Sequence, residues 1–92
     1  MGERTGIMGA DMKPVETGTI LKEYLVARNI TQEQACEMIG TSTRHMSQVV
    51  NNKINFSEHL ALKLERVFPD IKAEFWLDIE MVNRLYKLRR KG

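Results

Sequence analysis

The chain has a single cysteine, Cys36. No disulfide can form within it, and a tetrahedral Cys/His zinc site lacks its ligands. A lone thiol fits a reducing compartment. No apolar run approaches the roughly 18–20 residues needed to span a bilayer, and the N-terminus has no apolar signal core. These absences lead us to expect a cytoplasmic protein without membrane contact. There is no glycine-rich phosphate loop and no Ser/His/Asp set in a supporting context. The two histidines, His45 and His59, share no carboxylate at metal-ligand spacing. We therefore expect no catalytic residues, no metal site, no cofactor and no enzymatic activity. The six methionines read as adaptable packing.

Acid is also missing from one stretch. Between Glu37 and Glu58 there is no Asp or Glu, while Arg44, His45 and Lys53 fall inside. The net charge of +2 announces no polyanionic partner by itself, but a locally acid-free patch is what such a partner needs. The basic residues near the end, Lys87, Arg89, Arg90 and Lys91, read as a solvated charge run.

With 92 residues and 42% apolar content, the chain has room for one small core. Residues 1–16 hold three glycines, one proline and no periodicity, and are expected to be a disordered extension. Met1, Met8 and Met12 could each serve as the start. The rest, residues 17–92, reads as one domain of five helices. Ile20, Leu21, Tyr24 and Leu25 form one face of the first, which opens at Thr17 or Gly18 and ends near Asn29. Thr31 caps the second, with Gln34 at capping-box spacing. Ala35, Cys36, Met38 and Ile39 face inward, and Gly40 ends the helix. Ser42 caps the third, anchored by Met46, Val49 and Val50. Asn51 and Asn52 close it, because Asn tolerates positive φ. Ser57 caps the fourth, with Leu60, Ala61, Leu64 and Val67 or Phe68 inward, and Pro69 ends it. The fifth starts at Asp70 or Lys72 and runs to about Arg89. No segment alternates as a strand, so the fold class is all-α.

Two short helices joined by Gly40-Thr41-Ser42 carry the functional signal. A helix-turn-helix needs a small residue where its helices cross, and Cys36 supplies one. It needs a strain-free turn residue, here Gly40. Its second helix must be anchored by apolar residues while its outer face stays polar. Thr43, Arg44, Ser47 and Gln48 form that face, with hydrogen-bonding side chains and no negative charge. Such a face can meet base edges in a major groove about 12 Å wide. The bland alternative is an ordinary αα-hairpin in a small bundle. Cys36 reads as a packing residue, since no His or Lys lies one turn away to lower its pKa. Trp76 reads as core or interface.

The segment TQEQACEMIGTSTRHMSQVVNNK resembles the Cro/C1-type (XRE-like) helix-turn-helix of phage repressors and bacterial regulators. With TGTILKEYL, INFSEHLALKLERVF and EFWLDIE, the likeness extends over residues 17–82 to the HigA/VapI-type antitoxin branch. The resemblance implies a five-helix, lambda-repressor-like domain that binds a palindromic double-stranded operator as a homodimer. A cognate toxin is a further implied partner. Carried over by position, Gln32 contacts a phosphate and Ser42 faces the backbone. Thr43, Arg44 and Gln48 read bases, with Ser47 a lesser candidate. Asn51, Asn52 and Lys53 grip the next phosphates. Asn52 departs from the usual Gly, and Ala35 is smaller than the usual Leu, leaving space for Met38 or Met46. VFPDIKAEFWL departs from the common antitoxin form. It is more similar to the N-terminal domain of longer regulators with an ImmA/IrrE-type metallopeptidase-like segment.

One recognition helix makes few base contacts, each good pair worth about 1–3 kcal/mol, against a usual specific preference of about 4–10 kcal/mol. Two half-sites about 34 Å apart double the contacts. The fifth helix offers two apolar stripes for the purpose. Phe75, Ile79, Val82 and Tyr86 form one, expected to pack on the domain. Leu77, Met81, Leu85 and Leu88 form the other, expected at a dimer interface. Two other readings stay open: a toxin-neutralising interaction module whose motif no longer binds DNA, and the DNA-binding domain of a longer phage or mobile-element regulator.

Overall fold

The structure, a computed structural model, describes residues 14–91. Among these there are five helices and no strand: α1 Thr17–Ala27, α2 Gln32–Ile39, α3 Thr43–Val50, α4 Glu58–Val67 and α5 Ala73–Lys91. The expected disordered extension lies mostly outside the described residues. Its end is held, however. The Asn83 amide donates to the Val15 carbonyl at 2.9 Å, and Glu16 pairs with Lys87 at 3.9 Å.

Local chemistry starts and stops the helices. Thr31 and Gln34 close a reciprocal capping box at α2, and Gly40 ends that helix at φ 83°. The Ser42 and Ser57 hydroxyls accept from the backbone N–H of His45 and Leu60, each satisfying a donor that the helix leaves open. Asn29 and Asn52 take φ 59° and 61°, ending α1 and the turn after α3. Helix α5 begins at Ala73, slightly later than expected, where the Glu65 carboxylate of α4 accepts from the Ala73 N–H at 3.1 Å.

Trp76 is the centre of the core and wholly buried. It stacks on Phe56 at 5.7 Å and meets Tyr24 and Phe75 edge-on, geometries that aromatic quadrupoles favour. Leu21, Leu25, Met46, Val49 and Leu64 belong to the same buried cluster. Tyr24 reaches outward to Asp70, which also pairs with Arg28. Burial first, and then the Asp70 hydrogen bond, raise the Tyr24 pKa above 10.0.

Two expectations about inward faces need correction, and one alternative is decided. Met38 is exposed, because it lies about a quarter turn from the Ala35–Ile39 face, whereas Met46 is wholly buried in the same core as Ala35. Phe68, more than Val67, enters the core. On α5 neither apolar stripe is the packing face. The buried line is Ala73, Trp76, Glu80 and Asn83, while Phe75 and Val82 are exposed. Two polar residues on that line are satisfied at the other end of the chain: Glu80 accepts from the Thr17 hydroxyl at 2.9 Å, and Asn83 holds Val15.

Gly18 is buried where α1 crosses the end of α3. A Cβ there would sit inside van der Waals contact of the Val49 carbonyl oxygen and 2.5 Å from Asn52 Oδ1. Gly18→Ala should lower stability by at least about 1–3 kcal/mol, the usual cost of overpacking. Urea unfolding would measure it, and an unchanged midpoint would contradict the close approach.

Candidate nucleic-acid interface

The turn between α2 and α3 is held from inside. The Gly40 and Thr41 N–H groups both donate to the Cys36 carbonyl, at 2.7 and 3.0 Å. The Cys36 thiol points to the Ser42 carbonyl at 3.5 Å. A larger side chain at Cys36 would separate the helices. Burial pushes the thiol pKa up from 9.0, and the Glu33 charge adds to this. Both effects favour the protonated thiol, as expected of a packing residue.

With Met46, Val49 and Val50 buried, the opposite side of α3 is turned outward. Thr43, Arg44 and Ser47 are exposed, and with Gln32 they line one shallow open groove. Four residues selected from the sequence are thus brought together on one surface. Gln48 is half-buried at the margin. Ser42 lies at the helix start with its hydroxyl oxygen already accepting from His45 N–H, so the hydroxyl proton remains to donate outward.

The two asparagines after α3 both make hydrogen bonds within the chain. The Asn51 amide folds back to donate to the Ser47 carbonyl at 2.9 Å and approaches its hydroxyl at 3.3 Å. Asn52 is half-buried and points into the domain. Its Oδ1 accepts from the Gly18 N–H at 2.9 Å, and its Nδ2 donates to the Thr19 hydroxyl at 3.0 Å. The residue at the N-cap position of α1, Glu16, makes no side-chain cap bond, so Asn52 serves as a cap supplied from a distance. In this structure its side chain is committed to α1. Lys53 is exposed, and its N–H donates to the Gln48 carbonyl at 2.8 Å.

Two residues of the site escaped the sequence reading. Glu33 lines the same groove as Arg44, although it precedes the acid-free stretch. Helix geometry brings it there from the first turn of α2, beside Gln32. Gly18 is the other. A glycine in the first turn of an otherwise well-formed helix was the available signal, since its cost there implies a packing reason.

The predicted dimer residues are divided. Met81, Leu85 and Leu88 are exposed, whereas Leu77 is partly buried against the core. Among the described residues no group of His, Cys, Asp and Glu could hold a metal, and no helix is long and apolar enough to cross a membrane.

Comparison with known proteins places these features in context. A family model described as helix-turn-helix matches residues 21–76. Virulence-associated protein A of Dichelobacter nodosus is 36% identical over 70 residues, which cover 74% of this chain and 69% of that protein. A Pseudomonas aeruginosa protein solved in complex with its 18-bp operator DNA is 25% identical, with a TM-score of 0.80 over 87% of this chain and 84% of the other. An addiction-module antidote protein of the HigA family from Coxiella burnetii shares the fold, with 23% identity, a TM-score of 0.80 and 87% of both chains covered.

The Asn52 geometry predicts graded losses of stability. Asn52→Gly keeps the positive φ and removes the cap, costing about 1 kcal/mol. Asn52→Ala adds backbone strain of about 1–2 kcal/mol. Chemical denaturation of the three proteins checks the order, and equal midpoints would mean that the capping bonds contribute nothing.

Proposed function

Because the chain belongs to the Cro/C1-type (XRE-like) helix-turn-helix family, we propose that it is a transcriptional regulator that binds a palindromic double-stranded operator. The function is binding, without catalysis. The observation that carries this reading is the two-sided character of α3, with Met46, Val49 and Val50 fully buried behind a polar face of Thr43, Arg44 and Ser47. A helix held so firmly on one side presents its other side with little freedom, which direct readout in the major groove requires. Arg44 is the principal base reader, with Thr43, Ser47 and Gln48 around it. Gln32, Ser42, Asn51 and Lys53 frame it with phosphate contacts. Asn52 acts differently, bracing the turn that carries Lys53.

The protein pairs as a homodimer through α5, acts in the cytoplasm, and serves as a HigA-like antitoxin that represses its own operon and binds a cognate toxin. Support for the antitoxin setting is the likeness of residues 17–82 to that branch and the fold shared with the Coxiella burnetii antidote protein. The exposed apolar residues of α5 also favour a second reading, a toxin-neutralising module without DNA binding. A gel shift on the DNA upstream of its own gene separates the two. A shift that weakens steeply with salt supports the regulator; no shift at low salt, with a toxin co-purifying, supports the module.

Three variants test the face. Arg44→Ala should relax sequence preference by about 1–3 kcal/mol at one base position. Lys53→Ala should weaken all sequences alike and reduce the salt slope by about 1. Glu33→Gln should tighten binding severalfold at low salt, because it removes an acid from the groove. Fluorescence anisotropy over a salt series measures all three. Parent-like affinity and discrimination in Arg44→Ala and Lys53→Ala would show that another surface binds.

A further inference from the structure

The residues at the start of α1 are tied to α5 at three points. Asn83, which is buried, donates its amide to the Val15 carbonyl at 2.9 Å. Glu80, also buried, accepts from the Thr17 hydroxyl at 2.9 Å. The Lys87 ammonium lies 3.9 Å from the Glu16 carboxylate. Gly18 follows directly, and its N–H donates to Asn52 Oδ1 at 2.9 Å. Asn52 holds φ 61° in the turn after α3, and Lys53 is the next residue. Thr17, Gly18, Asn52, Glu80 and Asn83 line one cleft of about 10 Å³, room for about one water. The start of α1, the turn and α5 meet closely there.

We propose that Thr17, Glu80 and Asn83 are positioning residues for DNA binding: by holding residues 15–17 on α5, they fix the turn that presents Lys53 to a phosphate. This role rests on the operator-binding reading above and extends it to residues on the far side of α1. The ends of helices are where a fold opens most easily. Glu16 gives α1 no side-chain cap, so its first turn is held by Asn52 on one side and by α5 on the other. If the start of α1 loosens, the Gly18 N–H leaves Asn52, and the Asn52–Lys53 turn loses its inner brace. Lys53 must then be ordered at the moment of binding, which lowers affinity. Two apolar side chains at 17 and 80 would also pack the helix start, without the cost of burying a carboxylate. What the hydroxyl–carboxylate bond adds is direction, which a positioned turn needs.

Thr17→Val removes the hydroxyl at nearly constant volume, Thr17→Ser keeps it, and Asn83→Ala releases Val15. Two measurements on the full chain test the role. In Thr17→Val and Asn83→Ala, amide hydrogen exchange at Gly18 and Lys53 should speed up by a larger factor than at the core amides of α4, which report global unfolding. Affinity for the DNA upstream of the gene should fall about three- to tenfold in both, while Thr17→Ser stays within about twofold of the parent. Placed in a Lys53→Ala background, Thr17→Val should cost less than about twofold, since the contact it serves is already gone. Circular dichroism confirms folding; should either variant fail to fold, the other carries the same test, because each cuts a different tie. Folded variants that bind like the parent overturn the positioning role. So does a loss of undiminished size in the Lys53→Ala background, or exchange at Gly18 and Lys53 that changes no more than in α4. Operator binding by the parent is scored first: a parent that binds no DNA overturns the regulator reading, and the positioning role with it, before any variant is compared.

Discussion

The close approach of α1 to the end of α3 is the constraint on which the rest of this small domain depends. Gly18 has no Cβ, and that absence lets the α1 backbone lie against the Val49 carbonyl. The same absence leaves room for Asn52 to reach the Gly18 N–H. One contact thus does three things. It caps a helix that has no side-chain cap of its own. It pins the turn that follows α3. It also places the start of α1 where Thr17 can donate to Glu80. An unpaired donor at a buried helix start would cost about 1–3 kcal/mol, which makes the Asn52 side chain more useful inside the fold than outside it.

Helix α5 extends this arrangement. Its inner line mixes Ala73 and Trp76 with Glu80 and Asn83. A buried carboxylate is tolerated only with partners. Here Thr17 donates to Glu80 and Arg84 lies 3.9 Å from it. Polar groups on the inner line displace apolar ones to the flanks, so Met81, Leu85 and Leu88 remain exposed on a helix long enough to bury a conventional stripe. The apolar surface available to a second chain follows from what the first chain needed in order to hold its own N-terminal residues.

Much of the fold was legible residue by residue. Thr31, Gly40, Ser42 and Ser57 each mark a boundary by bonding to backbone within a few positions, and the structure has each in that role. Met46, Val49 and Val50 are on one side of α3 because helical periodicity puts them there. The groove residues Thr43, Arg44 and Ser47 follow as the remaining side. Met38 was misread because α2 has only eight residues, too few for the period to separate an inward position from one about a quarter turn away. The α5 stripes were misread for a different reason: apolar periodicity gives no weight to Glu80 and Asn83, whose burial depends on partners far along the chain.

By itself the sequence determined five helices, the caps of α2, α3 and α4, the helix-turn-helix and the polar face of its second helix, because each of these rests on contacts within about four residues along the chain. Tertiary structure alone decided that Asn52 turns inward, that Glu33 joins the groove of Arg44, and that α5 packs by Trp76, Glu80 and Asn83. The bonds responsible join Gly18 to Asn52 across 34 positions and Thr17 to Glu80 across 63, and partners so distant leave no periodic mark on the segments that contain them.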